Sequence, residues 1–425
     1  MLRVAALALA ALVSVPSAAS VLRIVVEDVI HPASAEFIER ALTQAAAEKS
    51  SAVLIELSTP GGLDDSTRAI VEDIVRSPVP VIVFVYPGGR RAASAGFFIL
   101  QAADVAAMAP GTNTGAAHPV LLGEKLDDVM KMKMQEDAAA FIRSIVQRRG
   151  RNVAAAESAV REAKSFSEDE ALAQKLIDFV ASDVPTLLKA IDGKPVRRFD
   201  GTTTTLKVAN VPIQTLEMSL KQRLLSWIMN PNVAFLLLSL GMLALWAEFN
   251  NPGAILPGVV GLVAILLAVF ALNILPTRYA ALVLILAAFG LFALEAKFTS
   301  YGILGTGGVV CLVFGALLLV DGPIPEMRVD LLTALIVSVP IGVIAIFLMT
   351  LVLRAHKEPV RTGSEAMIGE VGVTRTPVEA DGKVFVRGEL WNATARTPIA
   401  EGSTVRVSAV DGLRLTVEPV APDLA

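Results

Sequence analysis

From Val21 to about Gly193, short runs rich in β-branched residues alternate with segments whose apolar positions recur at helical spacing, which predicts an α/β domain. Strands are expected at Leu22–Val26, Ala52–Leu57, Val79–Val85 and Val105–Ala109, with helices between them over Ala35–Glu48, Ser66–Ser77 and Ser94–Ala102. A longer helix is expected over Asp127–Arg149, followed by one over Val153–Ala163. Another opens at Ser167, where Glu170 three residues later has capping-box spacing. The polar stretch Gly193–Asn210 reads as a linker or a small edge element.

Beyond it the pattern changes. Leu220, Leu224, Leu225 and Ile228 recur at helical spacing beside Lys221 and Arg223, as in a helix lying at a membrane surface. The chain is then uncharged over Leu224–Ala247, Phe249–Thr277, Tyr279–Leu294, Phe298–Val320 and Leu331–Leu353, which predicts five membrane spans. Ala280–Leu294 is the weakest of them, being short of the roughly 20 residues a crossing helix needs. Phe249, Gly253 and Gly258 recur 49 positions later as Phe298, Gly302 and Gly307, so two related hairpins packed through those glycines are expected. Strong ionisable residues are missing from the spans, which disfavours transport. Arg354, His356, Lys357 and Arg361 then cluster on what the positive-inside rule makes the cytoplasmic side. From about Gly363 to Val420, short alternating runs at Val371–Thr374, Val384–Arg387 and Val405–Ser408 are broken by Asp381-Gly382 and Asp411-Gly412. They predict a small OB-like β-barrel. It holds 8 acidic and 6 basic residues, so oligonucleotide binding does not follow from that fold.

Composition sharpens this picture. The chain is 54% hydrophobic and 18% charged, too apolar for soluble domains alone, and its net charge of -4 gives no basic field for nucleic acid. Cys311 is the single cysteine and His31, His118 and His356 are scattered, which argues against a disulfide, a thiol nucleophile or a zinc site. Arg3, the apolar Val4–Val15 and then Pro16, Ser17, Ala18 and Ala19 read as a secretory leader, with cleavage expected after Ala19. The expected order is a leader over 1–20, an α/β domain over 21–193, a linker and interfacial helix over 194–230, a membrane region over 231–354 and the barrel over 363–420. An exported first domain and five spans leave the barrel in the cytoplasm.

Two glycine-rich turns are the densest chemical signal: Ser58-Thr59-Pro60-Gly61-Gly62 after one strand and Ala92-Ala93-Ser94-Ala95-Gly96 where a helix starts. A serine flanked by small residues admits a substrate backbone, and the amides of Gly62 and Ala95 are placed to meet an oxyanion. The same Ser94 also reads as a plain helix N-cap. A hydroxyl needs a base. Lys133 lies among Met130, Met132 and Met134, apolar neighbours that would desolvate its ammonium. A lysine on a charged helix is otherwise a solvated one, and the loop residue His118 is the second candidate.

The series Gly61-Gly62, Ala93-Ser94-Ala95-Gly96, Met108-Ala109-Pro110-Gly111-Thr112, Gly115-Ala116-Ala117-His118-Pro119 and Gly150-Arg151-Asn152 resembles the long form of the NfeD family, the stomatin operon partner proteins. Signal sequence, protease domain, spans and terminal barrel follow in the same order. The resemblance implies a Clp-protease/crotonase-like (ββα) fold and a membrane serine endopeptidase with a Ser-Lys dyad, needing neither metal nor cofactor. It further implies a stomatin- or flotillin-like partner cut in a hydrophobic segment, a homo-oligomer, and a bacterial inner membrane with the protease domain outside. Carried over, Ser94 is the nucleophile, Gly62 and Ala95 supply the oxyanion amides, and Gly61 and His118 shape the substrate site. Lys133 is the base, with Lys131 the fallback if the register slips by two. The aspartate that supports the histidine in Clp-type proteases falls here at Ala163, so His118 lacks its orienting carboxylate. From a different class, the chain would be chiefly a membrane scaffold for such a partner.

Overall fold

Strands that are apolar at nearly every position have no polar face to leave in water, so a sheet built from them must be covered on both sides. The computed structural model, which describes residues 20–120, 127–250, 253, 255–298, 300, 302–322, 324–357 and 364–420, shows that arrangement; the expected leader lies outside these residues. In chain order the first part runs β1 (Val21–Glu27), α1 (Pro32–Glu48), β2 (Ala52–Ser58), α2 (Asp64–Arg76), β3 (Val81–Val85), β4 (Arg91–Ala93), α3 (Ala95–Ala102), β5 (Val105–Met108) and β6 (Asn113–Gly115). It continues with α4 (Asp128–Arg149), α5 (Val153–Arg161), β7 (Ser165–Ser167), α6 (Glu168–Ala173), β8 (Phe179–Val180), α7 (Val184–Ile191), β9 (Pro195–Arg197), β10 (Thr203–Thr205) and β11 (Ile213–Thr215).

The main sheet is parallel, in the order β11-β1-β2-β3-β5-β8. One face packs Ile24, Ile55 and Val83 beneath α1 to α4, and the other packs Leu54, Ile82 and Phe84 beneath α7. The Gly193–Asn210 stretch proves to be the edge element rather than a linker. It contains the antiparallel β9-β10 pair, and Val196, Leu206 and Val208 are buried against that second face. The sheet itself extends further, since Ile213–Thr215 pairs with Val21, Leu22 and Arg23. Strands β4, β6 and β7 form a small second sheet standing over the carboxyl ends of the main one, joined to it where Thr59 bridges Ala92. Ser167 caps α6 with the expected box to Glu170.

Next come α8 (Leu220–Ile228), α9 (Pro231–Asn250), α10 (Leu256–Ile274), α11 (Tyr279–Lys297), α12 (Ile303–Leu319) and α13 (Leu331–Lys357). On α8, Leu220, Leu224 and Trp227 share one face and are exposed, whereas Ile228 of the expected apolar stripe is buried with residues of α9 to α13. Three helical stretches are long and apolar enough to cross a membrane: Pro231–Phe249, Leu256–Ile274 and Pro325–Ile344. Tyr279–Glu295 and Ile303–Leu319 are shorter apolar helices. The α9-α10 and α11-α12 hairpins echo each other as the repeat suggested, and of the four repeated glycines Gly258 is the one in close approach, a Cβ on it lying 2.9 Å from Glu248 Cγ of α9. Gly253 and Gly302 have left-handed backbone in the connections and open space around them. Further close approaches are made by Gly241 with Gly261, and by Gly308 and Gly315 against Phe292, Ala281 and Ile285.

The carboxyl-terminal residues belong to a separate unit, Ile346–Ala425. Five strands, β12 (Val371–Thr374), β13 (Gly382–Val386), β14 (Glu389–Thr394), β15 (Thr404–Asp411) and β16 (Arg414–Pro419), close into a barrel in the order β12-β13-β14-β16-β15. Alternate residues such as Val384, Val386, Val405 and Val407 fill its interior, the period-two pattern read in the sequence.

Candidate active site

Strand β2 ends where the chain must turn sharply, and glycine is required there for two different reasons. Gly61 has φ of +135°, and a Cβ on it would lie 3.0 Å from Ser94 Cβ and 3.4 Å from Ser94 Oγ. A Cβ on Gly62 would fall 2.1 Å from the Ile30 carbonyl oxygen. The Thr59 hydroxyl holds this turn, donating to the Gly61 carbonyl at 3.0 Å and accepting from its amide at 3.2 Å. Ile30 pairs in parallel with Gly62, donating to the Gly61 carbonyl at 2.8 Å and accepting from Leu63 at 2.8 Å. The Gly62 N–H between those bonds is turned to the opposite side.

Ser94 stands across this turn, half-buried, between β4 and α3. Its backbone is at φ 53° and ψ −113°, and its side chain makes no capping bond to α3, which overturns the plain N-cap reading. Three backbone bonds hold it there: its amide donates to Gly115 at 2.9 Å, Ala93 donates to Thr59 at 3.1 Å, and Thr59 donates to Arg91 at 2.8 Å. The small flanking residues are also explained. A Cβ on Gly96 would lie 2.6 Å from Thr59 Cγ2 and 3.2 Å from Ala92 Cβ. Ala95 is the first residue of α3, so its amide has no intrahelical acceptor.

The remaining sequence candidates are less closely gathered. His118 is half-buried, and its Nδ1 lies 2.9 Å from the Val160 carbonyl, which takes the orienting place a carboxylate would fill. It is tied to the serine only through the segment beginning at Gly115. Lys133, in the second turn of α4, is exposed, and no contact with Ser94 is among the bonds of the described residues. The expected methionine shield does not form within this chain: Met130 is 45% and Met132 64% exposed. Residues one apart on a helix face different directions, so adjacent apolar positions do not cover a lysine. Lys131 pairs with Asp128 at 3.1 Å, whereas Lys133 makes no ion pair among the described residues.

Against this geometry, the chain matches three domain descriptions in succession: the NfeD1b N-terminal domain over residues 20–190, the NfeD integral membrane domain over 232–351 and the NfeD-like C-terminal, partner-binding domain over 364–419. It is 37% identical over 390 residues to the membrane-bound protease PH1510 of Pyrococcus horikoshii, covering 89% of this chain and 88% of that one. The chain belongs to the NfeD family. The membrane protein NfeD1b of Bacillus subtilis is 26% identical over 426 residues, covering 93% of this chain and 92% of that one. Among solved structures, a lysine-to-alanine mutant of the 1510-N membrane-bound stomatin-specific protease, in complex with a substrate peptide, is 33% identical. It covers 50% of this chain and 98% of that one, with a TM-score of 0.47. The N-terminal domain of this NfeD chain has the α/β fold expected of it.

Two sets of residues that sequence reading passed over position the site. Arg151, from the Gly150-Arg151-Asn152 motif, is buried and donates to the carbonyls of Gln101 at 2.7 Å and Ala103 at 3.1 Å. It also pairs with Asp178 at 2.8 Å. It thus closes the carboxyl end of the short helix that begins at Ser94. On the membrane side, Arg91 of β4 pairs with Glu326 at 2.6 Å, and Ser226 of α8 donates to Asp28 at 2.7 Å, beside His31. His31 Nδ1 accepts from the amides of Ala33 and Ser34 and so caps α1. Burial pushes the Asp28 carboxyl up. The hydrogen bonds from His31 and Ser226, with that from the Val29 amide, outweigh this and hold it below the usual range. Histidine as an N-cap and pairing between α8 and the β1-α1 turn leave no motif in the sequence.

Proposed function

We propose that this NfeD chain is a membrane-anchored serine endopeptidase in which Ser94 and Lys133 form the dyad, cutting hydrophobic segments of a stomatin- or flotillin-like membrane protein. The observation that carries the reading is Ser94 itself, held at φ 53° opposite the Gly61-Gly62 turn with no capping bond. A residue that caps nothing in so costly a conformation is one whose hydroxyl is being presented. Ser94 Oγ attacks the scissile carbonyl carbon, and its proton passes to the Lys133 amine. The amides of Gly62 and Ala95 receive the charge that develops on the carbonyl oxygen. The tetrahedral adduct expels the amine, which takes the proton from Lys133, and water then releases the acyl group by the same steps in reverse. Lys133 must be neutral to act, so an exposed lysine has to lose water when substrate or a second copy of the chain covers α4. Gly61 and His118 line the approach to Ser94. The protease domain lies outside the cytoplasm and the barrel inside.

The test uses the full chain in detergent with a peptide rich in aliphatic residues. Ser94→Ala and Lys133→Ala should each abolish cleavage, and a fluorophosphonate should label wild type but not Ser94→Ala. Undiminished cleavage by both variants would sink the proposal. A second reading, that the chain acts chiefly as a scaffold for its partner, draws on the partner-binding domain match at residues 364–419. Equal rescue of a deletion phenotype by wild type and Ser94→Ala would favour it.

A further inference from the structure

A cavity of about 330 Å³ opens below the Gly61-Gly62 turn, where the α/β domain meets the membrane helices. Its upper wall carries Val29 and Leu63, the residues flanking the Ile30–Gly62 bridge on its two segments. The backbone that shapes the turn opposite Ser94 therefore also shapes this cavity. Its lower wall carries Pro231, Ile274, Leu275 and Met327, at the start of α9, the end of α10 and the connection before α13. Trp227 of α8, the helix with an exposed apolar face, lies along one side.

The charged groups around the cavity are engaged with protein, Asp28 with Ser226 and His31, Glu326 with Arg91, and Arg223 with Glu217, and the Asn230 side-chain carbonyl accepts from the Asn232 amide. What remains for an occupant is mainly apolar wall, in a volume at the lower end of those that hold small ligands.

We infer that this cavity binds a large aliphatic or aromatic side chain of the polypeptide being cleaved, as that polypeptide leaves the bilayer surface on its way to Ser94. The inference rests on the proteolytic reading above. Its occupant is a peptide rather than a lipid because one wall is continuous with the turn facing the nucleophile, while the cavity's arginine, Arg223, already pairs with Glu217 and is not offered to a phosphate. An apolar segment emerging between the helix ends meets the cavity first and the Gly61-Gly62 turn next.

The experiment uses the full chain in phosphatidylglycerol–phosphatidylethanolamine nanodiscs and two peptides that differ only in a leucine run replaced by alanines. Ile274→Trp and Leu275→Trp fill the cavity from the membrane side. The ratio of kcat/KM for the leucine peptide to that for the alanine peptide should fall about tenfold or more, the scale on which pockets discriminate methylene groups. Fluorophosphonate labelling of Ser94 checks that each variant is folded. An unchanged ratio in a variant that still labels overturns the inference.

A second arm needs no catalysis and no cavity variant. The leucine peptide carrying photo-leucine, irradiated with Ser94→Ala, should crosslink to Trp227, Met229 or the Ile274-Leu275 segment. Crosslinking elsewhere, or labelling of those residues by a phospholipid with a diazirine in its acyl chain without competition from the peptide, overturns it. If wild type cleaves neither peptide while crosslinks still map to the cavity, the proteolytic reading has failed and the binding site stands.

Discussion

Ser94 is a residue whose conformation conflicts with its own stability. A non-glycine residue at φ 53° costs about 1–3 kcal/mol, and glycine there would recover that while losing about 0.5–1 kcal/mol to its freer unfolded chain. Ser94→Gly is therefore expected to be more stable than Ser94→Ala by about 1 kcal/mol in thermal or denaturant unfolding, although neither cleaves peptide. Equal stability would mean that the backbone relaxes around this position. The candidate status of Ser94 was legible in the small residues around it. Its freedom from capping was not, because an N-cap and a presented hydroxyl share the same local pattern. Lys133 shows the opposite failure. Its methionine neighbours suggested burial, but adjacency along a helix is not adjacency in space.

Among the elements, α3 is eight residues long, and the carbonyls at its carboxyl end are answered largely by two arginines, Arg149 at Ala102 and Arg151 at Gln101 and Ala103. Arg151→Ala leaves the Gln101 and Ala103 carbonyls and Asp178 without their cation. It should cost about 3–5 kcal/mol in unfolding of the full chain, with Arg151→Lys recovering only part for lack of the planar fork. Asp28 links the β1-α1 turn to α8. Its carboxyl is held below the usual value, so its contribution is complete at neutral pH and is lost as pH falls through the lowered folded value. Below about pH 4, the stability of wild type should therefore fall more steeply with pH than that of Asp28→Asn, and parallel acid profiles would remove Asp28 from the link. The long strands and helices were legible from periodicity. Three-residue β4, β6, β7 and β11 were not, since so short a run carries no period and depends on a partner remote in sequence.

Across the molecule, each apolar hairpin is held by close approach at glycines, most of them outside the sequence echo. A Cβ on Gly241 would lie 2.8 Å from the Gly261 carbonyl oxygen, and a Cβ on Gly261 would lie 2.8 Å from that of Gly241. Gly261→Val should force α9 and α10 apart and lower the thermal stability of the full chain in detergent by about 1–3 kcal/mol, whereas Gly253→Ala, in open space, acts only through its left-handed backbone. The sequence by itself determined the α/β alternation, the apolar helices and the barrel, and it named the candidates for chemistry, because each follows from local period or residue type. Tertiary structure decided which of them meet. It set Gly61 against Ser94, left Lys133 exposed, oriented His118 by a carbonyl and opened a cavity between the turn and the membrane helices, since contacts between distant segments depend on packing that no local pattern encodes.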